Sequence, residues 1–132
     1  MSAESIQGIC NEFGRILNGK ANVDNGVCSV NIKRNLHVEI QGRPSKAELE
    51  AALSFESMDQ YGRALNLGET VLLTEEVNPF MDVIKRNGIL ISALHNHWLF
   101  TSPNILYLHF QSVEPPLHFA SKVAEAFKVL KY

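Results

Sequence analysis

The stretch from Ile89 to Val113 constrains the fold more than any other part of the chain. Branched and aromatic residues dominate Ile89–Phe100 and again Ile105–Val113. Residues of these types favour strands, and the intervening Thr101–Asn104 is typical of a tight turn. The stretch therefore predicts two neighbouring strands joined by a turn.

The two faces of this predicted hairpin differ in polarity, because side chains alternate along a strand. In the first strand one face comprises Leu90, Leu94, Trp98 and Phe100, and the other comprises Ile91, Ala93, His95 and His97. In the second strand Leu106, Leu108 and Phe110 share a face, opposite Tyr107, His109 and Gln111. A register that joins the two apolar faces, as the bed for the later helices, also brings His95, His97 and His109 together.

This histidine cluster has the composition of a divalent-metal site. Catalytic zinc commonly takes three imidazoles and keeps one further position open for water or substrate. Residues two apart on a strand are separated by roughly 6.5–7 Å, a gap over which two rings can lean onto one ion. We predict that His95, His97 and His109 bind zinc or another divalent metal. The alternative is a polar pocket of hydrogen-bonded histidines without a metal.

Further residues are candidates for the same site. The acidic pair that ends in Glu76 lies at a strand-to-helix corner before the histidine strand, so Glu76 is the candidate catalytic residue, as a ligand or general base. The alternative is that this pair stabilises the helix start through the helix dipole. Tyr107 and Gln111 flank His109 and are candidate ligand-binding residues. Asn96 is another, although its predicted place on the opposite face favours a structural role.

The composition predicts an ordinary globular protein. The 132 residues have a formal net charge of −2 and are 45 % hydrophobic, which indicates a single domain over 1–132 and disfavours nucleic acid or membrane partners. No apolar run approaches the ~20 residues of a membrane span. The polar, acidic start Met1–Ser5 is unlike a signal peptide, and two cysteines are too few for a disulfide framework. We expect a cytoplasmic protein in which Cys10 and Cys28 are free, buried thiols.

The remaining patterns predict an α+β fold with a mostly antiparallel sheet of about six strands and helices packed mainly on one face. Helices are predicted over Ser5–Leu17, over Lys46–Ala52 and over Pro116–Lys131. The main helical stretch is predicted to open with Thr74–Val77 and to end at Asn87-Gly88, with Asn78 as a candidate cap and Pro79 suited to the first helical position. Strands are predicted over Val27–Lys33, Leu36–Ile40, Leu53–Met58 and Arg63–Leu73, with a loop over Lys20–Gly26.

Two single residues carry expectations of their own. Gly68 lies inside a predicted strand, where glycine marks a bulge or a close approach of another group. Arg34 follows Lys33 at a strand end, and we expect this basic pair to be solvated.

Four segments resemble the LppY/LpqO family, a bacterial domain family of unknown function. They are Glu76–Pro79, Asn87–Ile89, Ala93–His97 and Tyr107–Phe110, and weaker likeness runs through Arg34–Gly42, Leu53–Phe55 and Gly68–Glu69. The resemblance implies that the histidine cluster is the shared site, and it supplies no reaction.

Two functions are therefore expected. The first is a metal-binding domain, a candidate metal-dependent hydrolase or lyase that acts on an unknown small molecule. The second is a non-catalytic module that binds a small ligand or self-associates, as a homodimer, through the apolar part of the histidine face.

Overall fold

The computed structural model describes residues 3–46 and 49–131, which form three helices and two sheets. The helices are α1 (Ala3–Leu17), α2 (Thr74–Arg86) and α3 (Pro116–Phe127). The strands are β1 (Lys20–Asp24), β2 (Val27–Lys33), β3 (Val38–Ile40), β4 (Arg43–Ser45), β5 (Glu50–Glu56), β6 (Ala64–Leu73), β7 (Leu90–His95), β8 (Thr101–Ser102) and β9 (Ile105–Glu114).

The strands are divided between a large and a small antiparallel sheet. The large sheet has six strands in the order β1-β2-β5-β6-β9-β7, and the small sheet has three in the order β4-β3-β8. Each strand pairing among the described residues is antiparallel. The predicted α+β fold with a six-stranded sheet is confirmed.

The helices pack on one face of the large sheet, as predicted. Each helix contributes a fully buried phenylalanine to this core: Phe13 from α1, Phe80 from α2 and Phe119 from α3. The rings of Phe80 and Phe119 lie 6.0 and 6.2 Å from the ring of Phe110 on β9. Gly68 lies beside the same ring, and a Cβ added there would come within 2.6 Å of Phe110 Cζ. The close approach predicted at Gly68 is confirmed, whereas the pairing of β6 continues through it without a bulge.

The small sheet covers part of the opposite face. Val38 of β3 packs in a second buried cluster whose other members, on the large sheet, are Val71, Leu73, Ile105 and Tyr107. This layer explains why the histidine face carries apolar residues at one end. The other end of the face, beyond His109, is open.

The predicted hairpin is wrong in its first strand. β7 ends at His95 and not at Phe100, because the chain then leaves the large sheet and β8 pairs with Glu39 and Ile40 of the small sheet. Trp98 and Phe100 are 37 % and 75 % exposed, so they do not form part of the bed for the helices.

A β-bulge at Ser92 also changes the predicted faces of β7. Ile91 pairs with Phe110 and packs against the helix-side core, whereas Leu90 pairs with Gln111 and is exposed. The irregularity lies between Ile91 and Ala93, and the predicted alternation holds only beyond it.

Other boundaries differ from the predictions where long-range contacts override local preference. Lys20–Asp24 is a strand rather than a loop, because it pairs with β2. Glu50–Ala52 is a strand rather than helix, because it lies between β2 and β6 (residues 47 and 48 lie outside the described ranges). α2 begins at Thr74, where the helical stretch is predicted to open, but Asn78 and Pro79 lie inside the helix and not at its start. The Glu76 carboxylate instead accepts a hydrogen bond from the Leu73 backbone N–H at the helix start. After Phe127 the backbone bonds tighten to i−3 partners, which ends α3 before Lys131.

Two predictions about buried groups are wrong. Cys10 and Cys28 form a disulfide between α1 and β2 instead of remaining free thiols, although both are buried as expected. Arg34 is buried rather than solvated, because it pairs with a buried carboxylate described below. No helix among the described residues is long and apolar enough to span a membrane.

Candidate functional site

Two of the three predicted histidines meet across the β7–β9 pair. Ala93 lies opposite His109 and His95 lies opposite Tyr107, so both imidazoles project from the same face. Their Nε2 atoms are 3.0 Å apart and their ring centres 5.0 Å apart. At this distance one Nε2 donates a hydrogen bond to the other, so the two rings point at a common position.

A carboxylate from the neighbouring strand lies next to the Nδ1 atom of His109. Glu69 of β6 lies opposite His109, and its Oε2 is 3.3 Å from His109 Nδ1. A proton on Nδ1 beside this carboxylate leaves the Nε2 lone pair of neutral His109 free to accept a bond. That tautomer is the one in which histidine binds metals through Nε2, with a carboxylate fixing the ring from behind.

His97 lies just beyond the end of β7, in the connection to β8. Its ring centre is 5.8 Å from that of His95 and 5.0 Å from that of Tyr107, and its edge meets the ring of Trp98. The three predicted histidines therefore share one neighbourhood, although His97 reaches it from a loop and not from the strand.

A cavity of about 280 Å³ lies among these side chains. It is lined by Glu50, Glu69, His95, His97, Tyr107 and His109. Tyr107 is buried and belongs to the cluster beneath the small sheet, so it forms the wall between the covered and open parts of the face. Tyr107 therefore lies beside the histidines, and its role in ligand binding stays a prediction.

The positions of these side chains do not by themselves make a metal centre. Within residues 3–46 and 49–131, no group of three or more His, Cys, Asp or Glu side chains is arranged so that it could hold a metal ion. The geometry consists of one convergent histidine pair, a carboxylate behind it and a third imidazole at the rim.

Comparison with known families places the chain in one of them. A family described as Domain of Unknown Function (DUF1259) matches residues 11–129, which is most of the chain. The chain belongs to this family. Neither a curated protein nor a solved structure matches it.

In this member of the DUF1259 family, Glu76 does not reach the histidines. Its side chain is 1 % exposed, and its two carboxylate oxygens each lie 2.8 Å from a guanidinium nitrogen of Arg34. The same carboxylate accepts hydrogen bonds from the backbone N–H groups of Leu73, at 2.8 Å, and Lys131, at 3.0 Å. Glu76 of α2 thus binds Arg34, which follows β2, through a buried ion pair, and binds the end of β6 and the segment after α3 through hydrogen bonds. These contacts are structural rather than those of a general base in the histidine cluster.

The pKa of Glu76 reflects this environment. Burial raises the pKa of the carboxyl group, but the hydrogen bonds from Arg34, Lys131 and Leu73 lower it by more, and the net pKa lies below its ordinary value of 4.5. The group is therefore a carboxylate at neutral pH.

The two remaining candidates have different surroundings. Asn96 donates hydrogen bonds to Asn104 Oδ1, at 3.3 Å, and to the Ile105 carbonyl, at 3.4 Å, so it ties together the two ends of the loop that leaves β7. Gln111 lies two residues beyond His109 on the same face and lines an adjoining cavity rather than the histidine cavity.

Glu69 and Glu50 line the histidine cavity but are not among the residues predicted from the sequence. Glu69 occurs in the weaker part of the family resemblance, and the alternation of β6 puts it on the face opposite the core. What was missing was the register of β6 against β9, which are separated along the chain by α2 and β7. No local pattern specifies that pairing.

Proposed function

We propose that the chain is a divalent-metal-binding domain whose ion is held by His95, His109 and His97. The observation that carries this proposal is the convergence of the His95 and His109 Nε2 atoms at 3.0 Å. Two imidazole nitrogens on one tetrahedral zinc ion lie about 3.3 Å apart, since each Zn–N bond is about 2.0–2.1 Å long. The pair therefore needs to open by only a few tenths of an ångström, on the order of side-chain adjustment within one rotamer.

The position of His97 supports its role as the third ligand. Ring centres of imidazoles bound to one tetrahedral zinc ion lie roughly 5 Å apart, by the same bond lengths. The observed separations from His95 are 5.0 Å for His109 and 5.8 Å for His97. A turn of the His97 ring, on the connection after β7, completes the set.

The proposed chemistry is metal-assisted hydrolysis or a related lyase reaction. The bound ion lowers the pKa of a water molecule or polarises a carbonyl oxygen. Glu69 fixes the tautomer and orientation of His109, and Glu50 lines the same cavity as a second carboxylate. Zinc is the leading candidate because three imidazoles suit it, but other divalent metals accept the same ligands.

Zinc titration by calorimetry on protein without a histidine tag tests the proposal. We expect one site per chain in the wild type, with affinity reduced by about 100-fold or more in His95→Ala and in His109→Ala, since each removes a ligand. His118→Ala is the matched control, because His118 is exposed on α3, outside the cluster. Equal zinc affinity in all four proteins would remove the proposal.

A second candidate function is a non-catalytic module that binds a small ligand or self-associates as a homodimer. It is favoured by the exposed apolar segment Trp98–Phe100 beside the site, in which Leu99 and Phe100 are 72 % and 75 % exposed. Analytical ultracentrifugation of the wild type and Phe100→Asp distinguishes the two candidates. A dimer that dissociates in Phe100→Asp, and that is unaffected by the histidine substitutions, supports the module.

The narrower family relation and the location are also proposals. We infer a relation to the LppY/LpqO family from the segments that end at His97 and Phe110. The expected cytoplasmic location stays a prediction, and the Cys10–Cys28 disulfide does not favour it, because disulfides persist mainly in oxidising compartments.

A further inference from the structure

The open half of the large sheet contains a depression next to the histidine cluster. Short side chains occupy its centre, since Ser29 lies opposite Ser54 and Ala52 precedes Ser54 on the same face. Longer side chains surround them: Leu67 lies opposite both Ser54 and Gln111. This difference in side-chain length leaves a cavity of about 350 Å³ on the sheet surface.

This cavity adjoins the histidine cavity. Both are lined by Glu69 and His109, which lie opposite each other on β6 and β9. A molecule seated in the depression therefore lies against His109, whose Nε2 is 3.0 Å from that of His95. The depression has the position of a substrate groove that ends at the proposed metal.

The chemistry of the lining narrows the class of ligand. Its polar side chains are mainly uncharged hydroxyls and amides, contributed by Ser29, Asn31, Ser54, Ser92 and Gln111. No lysine or arginine of the described ranges lines this cavity, and the one carboxylate that does, Glu69, repels anions. Hydroxyls and amides both donate and accept hydrogen bonds, which suits neutral polar ligands.

The same cavity also offers apolar surface. Ala52 and Leu67 contribute apolar side chains to the lining, and Leu67 is 39 % exposed. A ligand with hydroxyl groups at its edges and C–H groups on its faces satisfies both kinds of surface. Ligand cavities commonly combine apolar walls with a few polar groups that fix orientation.

We propose that this groove binds a neutral polyhydroxylated compound, a sugar or short oligosaccharide, and presents it to the histidine cluster. The inference rests on the proposed function, because it names the ligand class of the same site. Asn31, Ser54 and Gln111 bind hydroxyl groups, Leu67 packs against a sugar face, and Glu69 accepts a hydroxyl hydrogen bond next to His109.

Titrations followed by NMR of the amide groups test this assignment, with and without added zinc. The probes are methyl β-D-glucopyranoside and cellobiose as neutral sugars, and glucuronate and glucose 6-phosphate as anionic counterparts. We expect saturable shifts with a neutral sugar in the amides of β5, β6 and β9 around the groove, and weaker binding of both anions. Absence of binding by both neutral sugars, or tighter binding of an anion, would overturn the assignment.

Matched variants on one strand localise the effect. Ser54→Leu fills the centre of the depression, whereas Glu56→Leu introduces the same side chain two residues along the same face, outside the lining. We expect Ser54→Leu to raise the Kd of the sugar by about tenfold or more, equivalent to about 1.4 kcal/mol, and Glu56→Leu to leave it within about twofold. Equal effects of the two substitutions would contradict the proposed position.

The same samples separate this inference from the proposed metal site. If the protein binds the sugar but not zinc, the proposed sugar groove holds and the proposed metal site is wrong. If the protein binds zinc but not the sugar, the proposed metal site holds and the proposed sugar groove is wrong. Ser54→Leu itself should bind zinc like the wild type, because Ser54 does not line the histidine cavity.

Discussion

Replacing Glu76 with glutamine should destabilise the fold strongly. The substitution keeps the shape of the side chain but removes its charge, and it leaves the Arg34 guanidinium buried without its counter-ion. The two side chains are 1 % and 3 % exposed, so water does not replace the lost partner. The substitution also weakens the hydrogen bonds that the Glu76 carboxylate accepts from the backbone N–H groups of Leu73 and Lys131.

The size of the effect follows from the burial of the pair. Removing one partner of a buried ion pair costs about 3–5 kcal/mol, and the glutamine oxygen retains one acceptor, so we expect a loss of about 3 kcal/mol in the free energy of unfolding. Glu75→Gln is the matched control. Glu75 lies 3.6 Å from Lys131 Nζ with about half of its side chain exposed, so the loss there should stay below about 1 kcal/mol.

The direction of the pH dependence is also determined. The folded-state pKa of Glu76 lies below its ordinary value of 4.5, so the unfolded chain takes up the proton first as the pH falls. The stabilisation is therefore fully present above about pH 4.5 and is lost as the pH falls through the folded-state pKa. The difference in stability between wild type and Glu76→Gln should narrow over this acidic range.

Urea denaturation followed by circular dichroism, at neutral pH and in steps down to acid, measures both effects. The double variant Arg34→Met/Glu76→Gln completes a thermodynamic cycle, and it should be more stable than the sum of the single losses predicts. If Glu76→Gln is as stable as Glu75→Gln but loses zinc or ligand binding, the structural role of Glu76 is refuted and its predicted role in the site is restored.

Four further substitutions test other parts of the structure. Gly68→Ala should lower stability by about 1–3 kcal/mol through overpacking against Phe110, as measured by urea denaturation. Gly8→Ala, on the exposed face of α1, should raise stability by up to about 1 kcal/mol in the same assay. Cys10→Ala should cost about 3 kcal/mol in denaturation without reductant, and a thiol assay of the unfolded wild type should find no free thiol. Glu69→Gln should weaken zinc binding about 10–100-fold in calorimetry with little change in melting temperature, and unchanged affinity would contradict its place behind His109.

The histidine cluster could be predicted because it depends on the alternation of side chains along two neighbouring strands. Alternation places His95 and His109 on one face, and the cost of exposing Leu108 and Phe110 selects the register. The bulge at Ser92 could not be predicted, since it moves Leu90 and Ile91 without leaving a local signal in composition.

The missed features depend on contacts between distant segments. Cys10 and Cys28 become partners only when α1 packs on β2, and a count of two cysteines does not reveal that approach. Glu69 meets His109 only through the pairing of β6 with β9. The second sheet was missed for the same reason, because β3 pairs with β8, which is distant in the sequence.

Anomalous diffraction at the zinc absorption edge, on crystals of the untagged protein soaked in zinc, tests the central claim most directly. The proposal predicts one strong peak per chain about 2.0–2.1 Å from the Nε2 atoms of both His95 and His109, with the His97 ring turned towards it. A zinc-soaked crystal with no peak between these two rings, or with its peaks only at other side chains, would contradict it.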